Sequence, residues 1–292
     1  MKSMQRGWAQ MRVSVVTDSV ADLPREIAQA HGVSIVPLTV IFGEEAFLDG
    51  VDLDSRGFFT KLRGSAVMPS TSQPSPADFI QVYEDLLKTH DHIVSAHASC
   101  KLSGTYQSAC IARDALGSSA IDVIDTSQVT MCEGLAVLEA ARAAQCGAGP
   151  REVCEVVSRV ASSVRLLFTV DTLEFLERNG RIGKAASLVG ALLAIKPIIH
   201  LEDGEVAPAD KVLGSRRVLP RVIELMDKAI GGSQAICASV VHADAREKAD
   251  EWKSEIEKRF ECRELILAEV GPVVGTHAGP GSVGVVWRPC TA

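Results

Sequence analysis

At 292 residues the chain is longer than one typical domain and suits two. Hydrophobic residues make up 47% and charged residues 23%, the balance of an ordinary globular protein, while only 4% aromatics force an aliphatic core. A net charge of −7, from 37 acidic and 30 basic side chains, lacks the positive field that nucleic-acid binding needs, and few rings remain for stacking on bases.

The opening MKSMQRGWAQ has no apolar run long enough for a secretion signal, so Met11 reads as the start and residues 1–10 as an extension. Val13 to Val16 is a β-branched run that predicts a strand, followed by a loop at Thr17-Asp18-Ser19. Asp22, Leu23 and Pro24 then read as the cap and first turn of a helix. Val33 to Val40 predicts the next strand. Ser75-Pro76-Ala77-Asp78 opens a helix with Pro at a favoured early position. Ile93 to Ala96 and Ile121 to Ile124 complete the strands of the first half, around a helix from Gly104 to Leu116. Such βα alternation implies a mostly parallel sheet with helices on both faces.

A boundary is placed near Gly147 to Pro150, giving an N-terminal α/β domain over 11–149 and a C-terminal α/β domain over 150–292. The second half opens with a stripe at helical spacing, Val153, Val156, Val157 and Val160. Leu166 to Val170 reads as a strand. Ala185 to Leu201 is the most membrane-like stretch, but it carries Lys196 and Pro197 and is too short to span, so a buried helix and then a strand are expected. A second stripe, Val218, Val222, Leu225, Met226 and Ile230, ends at Gly231-Gly232, and a third runs from Ala245 through Trp252 to Phe260. Strands at Ile236 to Val241, Leu265 to Val270 and Val283 to Trp287 surround the third. The eight cysteines show no CxxC spacing and follow no signal, which argues for free thiols in a reducing cytosol rather than a zinc ribbon or redox motif.

Three separated segments offer neutral hydrogen-bond donors. Pro69 to Ser75 packs four hydroxyls and an amide before a helix; Thr71 and Ser72 exceed what a single cap requires, although capping alone is the plainer reading of the composition. Lys101 to Gln107 places Ser103, Gly104 and Thr105 where a strand gives way to a helix, a junction whose free N–H groups suit an anion as well as a cap. Gly275 to Ser282 holds His277 in a glycine-rich loop; Gly279, Gly281 and Gly284 match GxGxxG formally, but the chain ends too soon for the βαβ unit that motif serves. Thr17, Asp18, Ser19 and Asp22 read as a turn and a cap. Arg181 and Lys184 in the turn after Arg178 could attract an acidic partner or a phosphate, and the basic run Lys211, Arg216, Arg217 and Arg221 reads as a solvated helix face rather than a nucleic-acid patch.

Six of these segments in order resemble one family. TDSVADLP (Thr17 to Pro24), TSQPS (Thr71 to Ser75), KLSGTYQSA (Lys101 to Ala109), VDTLEFLERNGRIG (Val170 to Gly183), IKPII (Ile195 to Ile199) and THAGPGSVG (Thr276 to Gly284) are similar to the DegV family, fatty-acid-binding subunits of bacterial fatty-acid kinases. The resemblance covers Met11 to Arg288. It implies two α/β domains with a long-chain fatty acid between them and its acyl chain in an apolar tunnel of the second. The carboxylate contacts map onto Thr71, Ser103 and His277, with Ser72, Gly104, Thr105 and Gly279 in support. A separate kinase subunit would phosphorylate the bound acid, docking at Arg181, Arg216 and Arg217. Where the family often has paired serines, this chain has Ser99 followed by Cys100, which puts a role for the second serine in doubt.

The expectation is therefore a cytoplasmic carrier that binds fatty acid, with no catalytic machinery, metal or cofactor of its own, no nucleic-acid partner and no stable membrane insertion. A buried carboxylate must regain hydrogen bonds lost from water, and hydroxyls and an imidazole supply them. The main alternative is an acyl hydrolase with Ser103 as nucleophile and His277 as base, although Leu102-Ser103-Gly104 is not GxSxG and no orienting acid is evident. A nucleotide- or phosphate-binding enzyme using Ser103 with Arg181 or Lys184 ranks behind it, for want of a GxxxxGK[ST] loop.

Overall fold

The structure, a computed structural model, describes residues 11–190, 195–232 and 235–290. The reading of residues 1–10 as an extension lies outside them. In the first half the chain runs β1 (Val13–Asp18), α1 (Arg25–Ala30), β2 (Val33–Val36), β3 (Thr39–Phe42), β4 (Glu45–Leu48), α2 (Ser55–Gly64), β5 (Ser70–Ser72), α3 (Pro76–Leu87), β6 (His92–His97), α4 (Thr105–Leu116), β7 (Ile121–Asp125), α5 (Met131–Gln145) and α6 (Pro150–Ser163). It continues through β8 (Arg165–Thr169), α7 (Glu174–Arg178), β9 (Ile195–Glu202), β10 (Glu205–Leu213), α8 (Val218–Ile230), β11 (Ile236–His242), α9 (Arg246–Arg259), β12 (Cys262–Glu269), α10 (Pro272–Ala278) and β13 (Val283–Pro289).

Four parallel strands form the first sheet in the order β2-β1-β6-β7. Both of its faces are apolar: Val16 and Ile93 pack under α3 and α4, while Val15 and Val94 face α5 and α6. Parallel strands covered on both sides read this way, as β-branched runs without polar alternation. The expected capping box is present, with the Ser75 hydroxyl accepting from the Asp78 N–H and the Asp78 carboxylate accepting from Ser75 N–H. A six-stranded mixed sheet, β10-β9-β8-β13-β11-β12, makes up the second lobe, with α8 and α9 on its outer face. A short antiparallel sheet, β4-β3-β5, adjoins the first.

The layer between the two large sheets organises the molecule. Helix α5 is buried almost all round, from Met131 through Leu138 to Ala141, as a helix must be when no side faces water. With Val153, Val157 and Val160 of α6 it joins one cluster that also takes in Val94 of the first sheet and Val241, Ala268 and Val286 of the second. The boundary expected at Gly149 and Pro150 thus falls within a layer that both sheets share.

Several expectations are corrected locally. Val33 to Val40 is two strands in different sheets, because Pro37 has no N–H to continue a ladder. Thr17 and Asp18 close β1 rather than opening a loop, and Asp18 caps a 3-10 turn, Ser19–Ala21. Asp22 is not the cap of α1, which begins at Arg25 after Pro24; its carboxylate is turned inward. The glycine-rich loop at 275–278 is the end of α10, started by Gly271-Pro272. Of the buried helix and strand expected within Ala185 to Leu201, the strand begins at Ile195, and the preceding part opens as a 3-10 turn, Gly183–Leu188; residues 191–194 of that stretch lie outside the described residues.

Because α5 serves both sheets, Leu135→Ala should cost about 2–5 kcal/mol, the range for truncating a large buried side chain. Both lobes should unfold together, with coincident denaturation midpoints from Trp252 and Trp287 fluorescence and from far-UV circular dichroism. Separate midpoints would show that the helix layer does not couple the sheets.

Candidate functional site

The ends of β1, β6 and β11, the entry to α5 and the start of α10 surround a cavity between the two large sheets. It offers about 130 Å³ to the centre of a water molecule, on the order of ten times what one water requires. Its walls are largely aliphatic and come from both lobes, including Leu38 and Val129 from connections of the first and Leu166, Leu201 and Val241 from strands of the second. Thr71, Gln73, Ser103, Arg181 and His277 also line it and supply most of its polar groups. The three residues singled out for a head group are therefore brought to one cavity from three distant parts of the chain.

Each is held differently. Thr71 sits in β5, opposite Val40 of β3. Ser103 follows the turn after β6, just before α4, and its Oγ lies 2.8 Å from Thr105 Oγ1 and accepts from the Thr105 N–H at 3.3 Å. His277 occupies the last turn of α10, its Nε2 2.9 Å from Thr71 Oγ1. Its Nδ1 is buried with no hydrogen-bond partner among the described residues. An unpaired acceptor is tolerated more readily than an unpaired N–H, so the proton belongs on Nε2 and is donated to Thr71. Burial, reinforced by the nearby Arg181 guanidinium, pushes the imidazole down to about 4 and keeps it neutral at physiological pH.

Arg181, expected on a docking face, lines the cavity, with Nε donating to the Leu102 carbonyl at 3.2 Å and Nη1 to that of Asn179. Thr105 is buried behind Ser103 rather than exposed in the cavity. Gly104 admits Gln73, whose side-chain amide occupies the space where a Cβ would stand. Gly279, with φ of 74°, admits the Phe175 ring in the same way and does not line the cavity. Ser72 is not brought to the site: successive strand residues point to opposite faces, and next to inward Thr71 its hydroxyl is exposed and donates to the Gln73 carbonyl. Arg216 and Arg217 are exposed in a 3-10 turn away from the cavity. Lys184 is paired with Glu202, and Arg221 with Asp210 and Glu224, so part of the basic run is neutralised within the chain.

Gln73 and the roles of the buried acids escaped the sequence reading. Asp18 Oδ2 lies 3.0 Å from His97 Nδ1, whose Nε2 lies 2.7 Å from Ser95 Oγ, with the Tyr83 hydroxyl donating to the same oxygen. This has the outline of a hydrolytic triad, but all three members are fully buried and none lines the cavity. It orders the interior beneath the site. Only the pairing of a strand-end Asp with an inward His could have hinted at it.

The DegV family model, described as one of uncharacterised proteins, matches residues 12–289. This chain belongs to the DegV family. A DegV protein from Thermus thermophilus, whose structure is described by fatty-acid binding, superposes with a TM-score of 0.91 at 33% identity, covering 96% of this chain and 100% of that one. The Bacillus subtilis fatty-acid-binding protein DegV gives 0.87 at 31% identity, again with 96% and 100% covered. A stearic-acid-binding protein from Eubacterium ventriosum gives 0.86 at 26%, with 95% and 98% covered. The DegV fold is thus shared over nearly the whole chain. No helix among the described residues is long and apolar enough to cross a membrane.

A histidine whose pKa falls on folding binds protons more readily in the unfolded chain, so stability is lost as pH drops from about 6.5 towards 4. The His277 ring should titrate near 4 by long-range ¹H–¹⁵N NMR. His277→Gln should flatten the loss of melting temperature across that pH window, and an equally steep loss in the variant would place its cause elsewhere.

Proposed function

We propose that this chain binds one long-chain fatty acid, its carboxylate at Thr71 and Ser103 and its acyl chain between the sheets, and presents it to a separate kinase subunit. The observation that carries this reading is the convergence of two hydroxyls on one wall of the cavity. Thr71 Oγ1 lies 2.9 Å from His277 Nε2, and Ser103 Oγ accepts from the Thr105 N–H and lies 2.8 Å from its hydroxyl, so both are fixed in place as groups able to donate to a carboxylate. His277 acts through Thr71, and half-buried Arg181 adds a positive charge near the same group. Such donors replace the hydration a carboxylate gives up on entering an apolar cavity.

The tail supplies the greater share of affinity. At roughly 0.8 kcal/mol per buried methylene, a long chain gains on the order of 10 kcal/mol before the costs of association. Relatives whose structures are described by fatty-acid binding, one of them with stearic acid, support the same ligand class here. Exposed Arg216 and Arg217 support an acidic docking partner, and Arg181, reaching from the cavity lining, would stand where bound acid and partner meet.

Hydrolysis is the weaker reading. Ser103 is bonded to Thr105 and His277 to Thr71, so nucleophile and base are not paired with each other. An imidazole held near 4 is also a poor base at neutral pH, and its Nδ1 has no carboxylate to orient it.

Mass spectrometry of an organic extract from purified protein should find one long-chain acid per chain; an empty extract, together with no uptake of added palmitate, would end this reading. The double variant Thr71→Ala, Ser103→Ala should stay folded and lose at least tenfold in palmitate affinity, and undiminished occupancy would take both hydroxyls out of the site. Arg181→Glu, which sets a negative charge beside the bound carboxylate, should weaken palmitate binding at least tenfold, and an unchanged affinity would take Arg181 out of the head-group site. The double variant Arg216→Glu, Arg217→Glu should lower acyl-phosphate formation with the kinase subunit while leaving palmitate affinity within about threefold; an unchanged phosphorylation rate would remove that face as the docking surface.

A further inference from the structure

Helix α10 carries His277 at one end, and its other end is gripped from the opposite lobe. Asp22 Oδ1 accepts from the Gly271 N–H at 2.7 Å, and Asp49 Oδ2 from the Val273 N–H at 3.4 Å. These are among the N–H groups that a helix start leaves without partners, and carboxylates are favoured there by the helix dipole. Asp22 Oδ2 takes a second bond, from the Thr130 hydroxyl at 2.6 Å. One carboxylate thus joins the end of β1, the entry to α5 and the start of α10, three segments far apart in the chain.

Two features show that this junction is built at a cost in backbone freedom. Asp22 has φ of 48° and ψ of 27°, and Thr130 has φ of 49° and ψ of −149°. Positive φ is uncommon for Asp and a genuine outlier for a β-branched residue, so both positions are strained. Gly271 is needed for closeness: a Cβ there would stand 2.9 Å from Asp49 Oδ1 and 3.4 Å from Asp22 Oδ1. Strain of this kind persists where surrounding bonds over-determine it, and it clusters at ligand clamps.

We propose that Asp22, bridging Thr130 and Gly271, is the positioning residue of the head-group site: it fixes the register of α10 and thereby sets His277 against Thr71. A helix advances about 1.5 Å and turns 100° per residue, so a slip of a single position would swing the imidazole away from the Thr71 hydroxyl. Further along the helix, Phe58 and Phe59 of α2 lie where a Cβ on Gly275 would be, and Asn179 Nδ2 donates to the Thr276 carbonyl at 3.1 Å, so the far end is held too, while Asp22 anchors its start. Thr130 also lines the cavity, so the strained residue holding the carboxylate touches the space the tail would fill.

This inference rests on the fatty-acid reading for its consequence but not for its geometry, and the test separates the two. Burial pushes the Asp22 carboxyl well above the ordinary carboxylate range, even with the bonds from Gly271 and Thr130, so an amide is a close stand-in. Asp22→Asn can accept from Gly271 and donate to Thr130, and Asn tolerates the left-handed backbone. Asp22→Gly accepts that backbone without strain yet removes the bridge. In the full chain, Asp22→Gly should raise the His277 ring titration from near 4 towards 6.5 by NMR and weaken palmitate binding at least tenfold, while Asp22→Asn keeps both near the wild-type values. If Asp22→Gly does not fold, Thr130→Val, which keeps the side-chain shape and removes only the hydroxyl, is read in the same way. A variant without the bridge that retains the wild-type His277 titration, however far its melting temperature falls, would reduce Asp22 to a structural cap and overturn the proposal. Failure of wild-type protein to bind palmitate would remove the lipid reading but leave the ring comparison, which needs no lipid, to decide the positioning role.

Discussion

Everything in this fold depends on one helix being buried from both sides. Because α5 is buried on nearly every side, the two sheets are packed against a common layer rather than tethered by a linker. That layer begins only at Met131, and the cavity opens just beyond it, where Val129 and Thr130 line the wall. The position of the site follows from the packing. Open α/β sheets collect ligands beyond the carboxyl ends of their strands, and here the ends of β1, β6 and β11 all lead to that place.

The chemistry of the site follows the same economy. Its two hydroxyls are each held by a neighbour within the protein, Thr71 by His277 and Ser103 by Thr105, and the imidazole beside the first is held neutral by burial. Nearby, Asp18, His97 and Ser95 reproduce the residue types of a hydrolase without a cavity to work in. Residue types alone do not define an active site; access and mutual orientation do.

What the sequence made legible was whatever depends on local pattern. The βα alternation, the Ser75 capping box and the glycine stop at Gly231 are short-range signals, and they are found as expected. Thr71, Ser103 and His277 were legible as donors in separated segments, and the cavity gathers all three. Helix α10 was not, since a seven-residue helix flanked by glycines leaves little periodicity to detect. The inward turn of Asp22 was hidden because an Asp beside Leu-Pro serves equally well as a cap, and only its distant partners, Thr130 and Gly271, decide the matter. Ser72 was over-read, since a run of hydroxyls does not reveal that a strand will send alternate ones into solvent.

The neutrality of the Thr71–His277 pair has a consequence for the cavity when it is vacant. A pocket that gripped an anion with a fully buried cation would carry that ion's lost hydration as a standing penalty whenever no cargo was aboard. Here the deeply buried partner is an uncharged imidazole, and Arg181, the cation among the described residues of the lining, keeps part of its surface in water. The head-group end of the cavity therefore adds little electrostatic cost to the fold itself.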